Sequence, residues 1–286
     1  MTATVPSLRD AHVARRRIWT TSSYVAAIVV AAIVIIPILF VVLGGFRTTG
    51  QIANKPFGLP APWVPSNYSD VATAGAFFRQ LFNSAVIACT ATFVALFFGS
   101  LAAFTLSRYA FRGREALYGY FSIGLLFPAG VAVLPLYVML RNFHLLDKPW
   151  IVAGVEAAFS LPVTIVILRP FMRSVPAELE DAAVMDGATR WGFYWRVMLP
   201  LSKPALITVG VLAFIGSWNN YLLPLLLFDT PSHFTLPLGT ASFTSDHAED
   251  TAKILAFTAL SMLPALGLFI AAERRLVGGL TGAVKG

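Results

Sequence analysis

The run YVAAIVVAAIVIIPILFVVLGG occupies residues 24–45 and contains no charged side chain. A helix of about 20 mainly apolar residues can cross the ~30 Å hydrocarbon core of a bilayer. Arg15, Arg16 and Arg17 precede the run, as basic residues precede a signal peptide. The apolar region of a signal peptide is only about 7–15 residues long, however, so this run predicts a retained transmembrane helix.

The rest of the chain contains more runs of this kind. Five of them occupy residues 83–106, 117–140, 150–168, 205–228 and 254–272. Hydrophobic residues make up 57% of the chain and charged residues 12%, about half the ~25% that is usual in soluble domains. The single cysteine, Cys89, excludes an internal disulfide. We therefore predict an all-α polytopic membrane protein with six transmembrane helices, of which the third and fourth are interrupted by prolines.

The basic residues predict the orientation of the spans. Cytoplasmic loops carry an excess of Lys and Arg, and 15 of the 21 Lys and Arg residues fall on one side of the six spans. That side includes both termini and the loops after the second and fourth spans. We expect a cytoplasmic tail at 1–23, a transmembrane domain at 24–272 and a second cytoplasmic tail at 273–286. The net charge of +7 then reflects membrane orientation and does not require nucleic acid as a partner.

The cytoplasmic loop after the fourth span, residues 174–200, has the signals of two short helices. Pro176 suits the first turn of a helix, and the acidic residues 178, 180 and 181 favour its N-terminal end. Asp186-Gly187 predicts where this helix stops. One face of the helix is small and weakly apolar and consists of Leu179, Ala182, Ala183 and Asp186.

The second short helix of the loop is predicted over residues 190–197, with Thr189 as its N-cap and Pro200 as its end. The physical pattern leaves two interpretations open. Small side chains and Gly187 allow a partner's backbone to approach closely, which favours a docking surface. Alternatively, the loop is an interfacial segment without a partner, anchored in the membrane by Trp191, Phe193 and Trp195.

The spacing within the loop also carries a resemblance. Asp181-Ala182-Ala183 is followed after three residues by Gly187, and after nine more by Val197-Met198-Leu199-Pro200. This resembles the signature of importer permeases in the ATP-binding cassette family, which is Glu-Ala-Ala, three residues, Gly, nine residues and Ile-x-Leu-Pro. Asp181 and Val197 depart from the signature but keep charge and shape. In that family the loop forms coupling helices that dock into a groove on an ATPase subunit.

The resemblance extends along nearly the whole chain and is closest to the six-span, second maltose-permease type of the carbohydrate permeases. The stretches that carry it are 83–84, 102–104, 108–114, 135–137, 145–147, 218–219, 224–225 and 278–286. It implies a prokaryotic plasma-membrane permease for a sugar or sugar-like solute. The implied partners are a second homologous permease, two ATPase subunits and an extracytoplasmic solute-binding protein. ATP and magnesium would bind to the ATPase subunits, and this chain would hold no cofactor.

The resemblance also assigns roles to residues of the loop. The implied ATPase-coupling residues are Glu180, Asp181, Ala182, Ala183, Asp186, Gly187, Leu199 and Pro200. Trp218, Asn219 and Asn220 lie in the fifth span, where Asn219 is ~22 Å along the helix from Pro204. Polar side chains at that depth face a cavity or a neighbouring helix. They are candidates for the translocation pathway or for hydrogen bonds between helices, in the latter case without contact to the solute.

Other features of the sequence limit the alternatives. Glu156 is expected to pair with Lys148 or Arg141 near the outer interface, or to face an aqueous path. A self-contained secondary transporter is the alternative function, but it would carry more acidic residues within its spans. A homodimeric permease of the amino-acid or metal type fits the loop but not the other stretches. Residues 46–80 are rich in Pro and aromatic residues and predict either a structured cap or a plain connector.

No enzymatic or metal site is predicted. The four histidines, His12, His144, His233 and His247, have no metal-ligand spacing and are expected to be solvated. The sequence contains no Gly-rich phosphate loop and no nucleophile or paired-carboxylate constellation within the spans. ATP hydrolysis and intramembrane catalysis by this chain are therefore not expected.

Overall fold

The computed structural model describes residues 8–243 and 250–283. Their regular structure is entirely helical, as predicted, and no strand occurs among them. The helices of the first half are α1 (Leu8–Gly44), α2 (Thr49–Asn54), α3 (Ser66–Thr73), α4 (Ala76–Arg108), α5 (Arg114–Gly124), α6 (Ala129–Asn142) and α7 (Pro149–Ser174). The ends of both predicted tails, Asp246, His247 and Glu249 lie outside the described residues.

The second half contains shorter helices and one long one. These are α8 (Glu178–Met185), α9 (Arg190–Phe193), a π-helical turn (Tyr194–Met198), α10 (Leu199–Leu201), α11 (Lys203–Trp218), α12 (Leu222–Leu227), α13 (Leu236–Gly239) and α14 (Thr251–Ala283). Two 3₁₀ turns lie at Pro231–His233 and Thr240–Phe243.

Four stretches of the described chain are long and apolar enough to cross a membrane. They are Ser22–Gly44 within α1, all of α4, all of α7, and Thr251–Ala271 within α14. Two further pairs of helices pass the same test only together, α5 with α6 and Arg190–Leu201 with α11, and they bend by 96° and 77°. The number of candidate spans is therefore four, or up to six if each bent pair counts as one span.

The interruption predicted for the third span is present, whereas the interruption predicted for the fourth span and the continuous helix predicted for the fifth are wrong. α5 ends at Gly124 and α6 begins after Pro128, because the residue before a proline avoids helical geometry. The predicted span 205–228 is broken between Trp218 and Leu222. A continuous helix there would place the ring of Pro224 against the carbonyl of Asn220. α7, in contrast, stays continuous through Pro162 and Pro170.

The described chain forms two compact units. The first contains the described residues through Val71 together with 250–260, and the second contains 72–243 and 261–283. In the first unit, the buried Arg47 donates hydrogen bonds to the carbonyl oxygens of Gln51, Lys55 and Pro56. Asn67 donates to the carbonyl oxygens of Gly45 and Arg47. Hydrogen bonds from these two buried side chains thus hold residues 45–67 together, which favours the structured-cap interpretation over a plain connector.

Close packing of α4 against α7 forms the centre of the second unit. The contact face of α4 has small residues at intervals of four, namely Ala91, Ala95, Gly99 and Ala103, all buried. Opposite them lie Ala153, Ala157, Thr164 and Leu168 of α7, also buried. Small side chains let helix backbones approach closely, which is how helices associate in a bilayer that offers no hydrophobic drive between them.

A carboxylate fastens two loops of the second unit to each other. Asp147, between α6 and α7, accepts hydrogen bonds from the Thr230 hydroxyl, from His233 Nδ1 and from the backbone N–H groups of Asp229 and Thr230. His233, expected to be solvated, is therefore a partner of this carboxylate. Partial burial opposes ionisation, but the bonds from Thr230, His233 and the backbone outweigh it and lower the pKa of Asp147 to about 2.

Asp147→Asn should destabilise the purified chain at neutral pH by about 1 kcal/mol, because the amide replaces one acceptor with a donor facing other donors. The native pKa of Asp147 lies below its ordinary value of about 3.9. The stabilisation that ionised Asp147 gives to the folded state is therefore complete above that value and is lost as pH falls towards about 2. Thermal unfolding in detergent from pH 7 to acid should show a smaller acid-induced decrease in the variant. Asp229→Asn is the matched control, since Asp229 contributes only its backbone N–H. Identical curves for wild type and Asp147→Asn would contradict the assignment.

Candidate functional site

The first half of the loop 174–200 forms α8, and its turn requires a glycine. α8 ends at Met185, with Asp186 at its C-cap. Gly187 follows with φ of +78°, a left-handed conformation that side chains with a Cβ rarely adopt. The backbone N–H of Ala188 then donates to the carbonyl of Ala183 at 2.8 Å and closes the turn. The predicted helix stop at Asp186-Gly187 agrees with this geometry.

The second half of the loop is a continuous helical segment of mixed geometry. The Thr189 hydroxyl accepts from the backbone N–H of Gly192 at 3.1 Å and caps α9, as predicted. The chain then passes through the π-helical turn into α10, which includes Pro200 and ends at Leu201. The expectation that Pro200 ends the helix is therefore wrong. Pro200 lies inside this continuous segment, shortly after the π-helical turn, and its missing N–H removes one backbone hydrogen bond from the segment.

This second half is anchored in the protein core. Phe193, Tyr194 and Met198 are buried and join a cluster with residues of α4, α7 and α11. The Tyr194 hydroxyl lies 2.7 Å from the Ser100 hydroxyl of α4. Phe193 therefore packs inside the protein and is not a membrane anchor, whereas Trp191 and Trp195 are exposed.

The first half of the loop is attached to the end of α4. Arg108 donates to the carbonyl oxygen of Val175 at 2.6 Å, and its Nε lies 3.9 Å from a carboxylate oxygen of Glu180. The neighbouring ring of Tyr109 lies 4.7 Å from the Arg190 guanidinium. Burial, reinforced by Glu180, raises the pKa of Tyr109 against the opposing effect of Arg190 and Arg108. These contacts join α8, α9 and the segment before them to the end of α4.

The outward face of α8 has no partner within the described chain. Asp181, Ala182, Asp186 and Gly187 are exposed, as is Pro200. Glu180, Ala183 and Leu199 are partly buried, and Ala183 packs against the core cluster. Sequence analysis missed Val184 and Met185, whose relative exposures are 60% and 86%. The sequence did contain a signal for them, because both are apolar residues on the side of α8 opposite its face of small side chains. We call Asp181, Ala182, Val184, Met185, Asp186 and Gly187 the α8 face.

The three candidate pathway residues lie at the break between α11 and α12. Trp218 is buried, and its Nε1 donates to the carbonyl oxygen of Ser261 at 3.2 Å. This geometry corresponds to a hydrogen bond between helices. Asn219 is exposed at the C-cap of α11. The Asn220 side-chain oxygen accepts from the backbone N–H of Leu223 at 3.2 Å and begins α12.

Glu156 of α7 was expected either to pair with Lys148 or Arg141 or to face an aqueous path, and the structure favours the second expectation. Instead of pairing with Lys148 or Arg141, it accepts a hydrogen bond from the Ser217 hydroxyl of α11. Glu156 is only 5% exposed, and its other carboxylate oxygen has no partner among the described residues. It lines a cavity of about 260 Å³ together with Ser160, Ser217 and Asn220.

The described residues contain no group of three or more His, Cys, Asp or Glu that could hold a metal ion. A helical chain with four to six candidate membrane spans defines a polytopic membrane protein, and its folded loop presents an exposed face with apolar and acidic side chains. The family described as "Binding-protein-dependent transport system inner membrane component" matches residues 95–274. The chain belongs to this family of importer permeases, and the resemblance noted in its sequence is confirmed.

Individual relatives are permease proteins of sugar uptake systems. The chain is 32% identical to the diacetylchitobiose uptake system permease protein NgcG of Streptomyces coelicolor, over 96% of this chain and 91% of that protein. It is 33% identical to the trehalose transport system permease protein SugB of Mycobacterium tuberculosis, over 88% and 93%. A solved bacterial ABC transporter involved in import of the acidic polysaccharide alginate shares the fold, with a TM-score of 0.78, 22% identity, and coverage of 95% and 99%.

Proposed function

We propose that this chain imports a sugar or sugar-like solute as one permease subunit of an ATP-driven importer, and that the α8 face is its ATPase-coupling surface. The observation that carries the proposal is the α8 face itself. It combines two exposed apolar side chains, Val184 and Met185, with the exposed acids Asp181 and Asp186. Apolar anchors surrounded by charge are typical of a protein interface. The sugar class rests on the relatives NgcG and SugB.

The proposed topology has six spans with both termini in the cytoplasm. The 15 Lys and Arg residues on one side of the spans support this orientation. The pair α5 and α6 then forms the third span, and the fifth span consists of α11 and α12, while Arg190–Leu201 belongs to the coupling loop and its junction with α11. The domain bounds are a cytoplasmic tail at 1–23, a permease domain at 24–272 and a second tail at 273–286, with the coupling loop at 174–200.

The proposed assembly contains a second homologous permease, two ATPase subunits and an extracytoplasmic solute-binding protein. ATP and magnesium act on the ATPase subunits. Their closure moves the α8 face, and the contacts of Arg108 with Val175 and Glu180 pass the motion to α4. The coupling residues are Glu180, Asp181, Ala182, Ala183, Asp186, Gly187, Leu199 and Pro200. Nucleotide shifts the spans between inward-facing and outward-facing states because it binds one state better.

Isolation of the chain from its native membrane in mild detergent should recover the ATPase, the second permease and the binding protein, identified by mass spectrometry. Met185→Glu should lose the ATPase and keep the second permease, because a charge replaces an apolar anchor of the interface. Phe57→Glu is the matched control. Its side chain is 89% exposed, close to the 86% of Met185, but lies outside the loop.

Recovery of the chain alone in several detergents would contradict the proposal and favour a self-contained secondary transporter. Equal recovery of the ATPase with wild type and Met185→Glu would exclude the α8 face as the coupling surface.

A further inference from the structure

The cavity beside Glu156 has the features of a built polar site. Its carboxylate is removed from solvent. One oxygen accepts from the Ser217 hydroxyl, and the Asn220 side chain also acts on the carboxylate, but the other oxygen makes no full hydrogen bond within the described residues. A buried carboxylate oxygen without such a bond is costly, and charged residues within membrane spans mark functional sites by default. This oxygen can therefore accept from a donor outside the described chain.

The cavity lies at a defined depth in the proposed topology. Glu156 follows the start of α7 by seven residues, or ~10 Å at 1.5 Å per residue. Ser217 follows the start of α11 by 14 residues, or ~21 Å in the opposite direction. In the proposed topology α7 begins at the outer surface of the membrane and α11 at the cytoplasmic surface. The two depths add up to about the ~30 Å thickness of the hydrocarbon core. Both residues therefore lie at one level, in the outer third of the membrane.

The walls of the cavity differ in chemistry. Glu156, Ser217 and Asn220 are polar, whereas Phe159 and Val133 are apolar. Asn220 belongs to the interruption between α11 and α12, and unwound helix segments at membrane depth line solute cavities in transport proteins. A cavity that offers both a carboxylate acceptor and an aromatic ring suits a sugar ring, which has hydroxyl donors at its edge and apolar C–H groups on its faces.

Other occupants fit less well. A hard cation such as calcium takes six or more oxygen ligands, and this cavity offers one carboxylate. At about 260 Å³, the cavity is smaller than the ~300–1,000 Å³ of sites for drug-sized ligands. It therefore has room for one ring of a larger saccharide.

We propose that this cavity is a subsite for one ring of the transported sugar, in which Glu156 accepts a hydrogen bond from a sugar hydroxyl. The subsite rests on the proposed import function. Ser217 and Asn220 position the carboxylate and close the polar side of the cavity. The solute thus contacts this permease directly as it passes the outer third of the membrane.

The test uses the complete complex in proteoliposomes, with trehalose, diacetylchitobiose and arabinobiose as probes. Uptake of at least one of them should be measurable and should depend on ATP. Glu156→Gln should reduce that uptake about tenfold, because it weakens the hydrogen bond from the sugar hydroxyl. Ser217→Ala should also reduce it, because Glu156 loses the donor that positions its carboxyl group. ATPase stimulation by the loaded binding protein should remain within about twofold of wild type. Thr208→Ala is the matched control, since Thr208 lies on α11 and donates to its own helix at Pro204.

A second measurement does not depend on the stability of those variants. In a Cys89→Ala background, Gly216→Cys should react with a maleimide, since Gly216 lines the cavity and an added Cβ there meets nothing within 4 Å. The transported sugar should slow the labelling of the ATP-bound complex. Unchanged uptake in Glu156→Gln, or labelling that the sugar does not slow, would overturn the subsite and leave import intact. Failure of the assembled wild-type complex to transport any of the three sugars would overturn the sugar-import function, and the subsite with it.

Discussion

Gly187→Asp should abolish uptake by the assembled importer, with a loss of about 100-fold, while the chain remains folded and inserted. Gly187 has φ of +78°, and a Cβ added there would meet nothing within 4 Å in this chain. Aspartate tolerates the left-handed conformation better than most residues, so the backbone of the free chain should survive. The added side chain instead occupies the space into which a partner docks. A loss of roughly 3 kcal/mol at an interface hot spot corresponds to about 100-fold.

The chain offers a matched control for this substitution. Gly113, at the N-cap of α5, has φ of +86° and likewise has nothing within 4 Å of an added Cβ. Gly113→Asp therefore imposes the same backbone demand outside the coupling loop and should leave uptake near wild type. Gly187→Asn keeps the size of aspartate and removes its charge, and it should also fail if the effect is steric. Normal uptake by Gly187→Asp at normal expression would refute the coupling role of this turn.

Local signals in the sequence were sufficient to predict the turn at Gly187. The acid-rich start of α8, the Asp186-Gly187 stop and the Thr189 cap each act within four residues, and the structure has all three. The long apolar runs likewise predicted α1, α4, α7 and α14, because span length follows from bilayer thickness. Predictions of this kind depend only on neighbours in the chain.

Features that depend on distant residues were not predicted. The partner of Glu156 is Ser217, 61 residues away, and nothing in the local sequence distinguishes it from the nearer Lys148. Partner choice for a buried carboxylate is decided by the packing of α7 against α11. The exposure of Met185 was also missed, since periodicity identifies a face of α8 but not which face the core covers. The breaks before α6 and α12 follow from Pro128 and Pro224, whereas α7 accommodates Pro162 without a break.

The second large effect is expected at Gly99, where α4 lies close against Thr164 of α7. A Cβ added at Gly99 would lie 2.4 Å from the Thr164 methyl carbon and 3.0 Å from its Cβ. Thr164 cannot move aside easily, because a β-branched side chain has few rotamers in a helix and its hydroxyl donates to the Ser160 carbonyl at 2.8 Å. Gly99→Leu should therefore separate the two helices and destabilise the chain by about 3 kcal/mol or more.

The measurement is thermal unfolding of the purified chain together with the fraction recovered as a single species by size-exclusion chromatography. Gly154 of α7 provides the control, since an added Cβ there meets nothing within 4 Å. Gly154→Leu should thus unfold at nearly the wild-type temperature. A smaller pair of changes tests the contact itself: Gly99→Ala should destabilise the chain, and Thr164→Ala in the same chain should restore much of the loss. Thr164→Ala can restore stability because substitutions at residues in direct contact do not have additive effects on the free energy of unfolding. If Gly99→Leu and Gly154→Leu unfolded alike, the α4–α7 contact would not be the close approach described here, and the small-residue stripe from Ala91 to Ala103 would need another explanation.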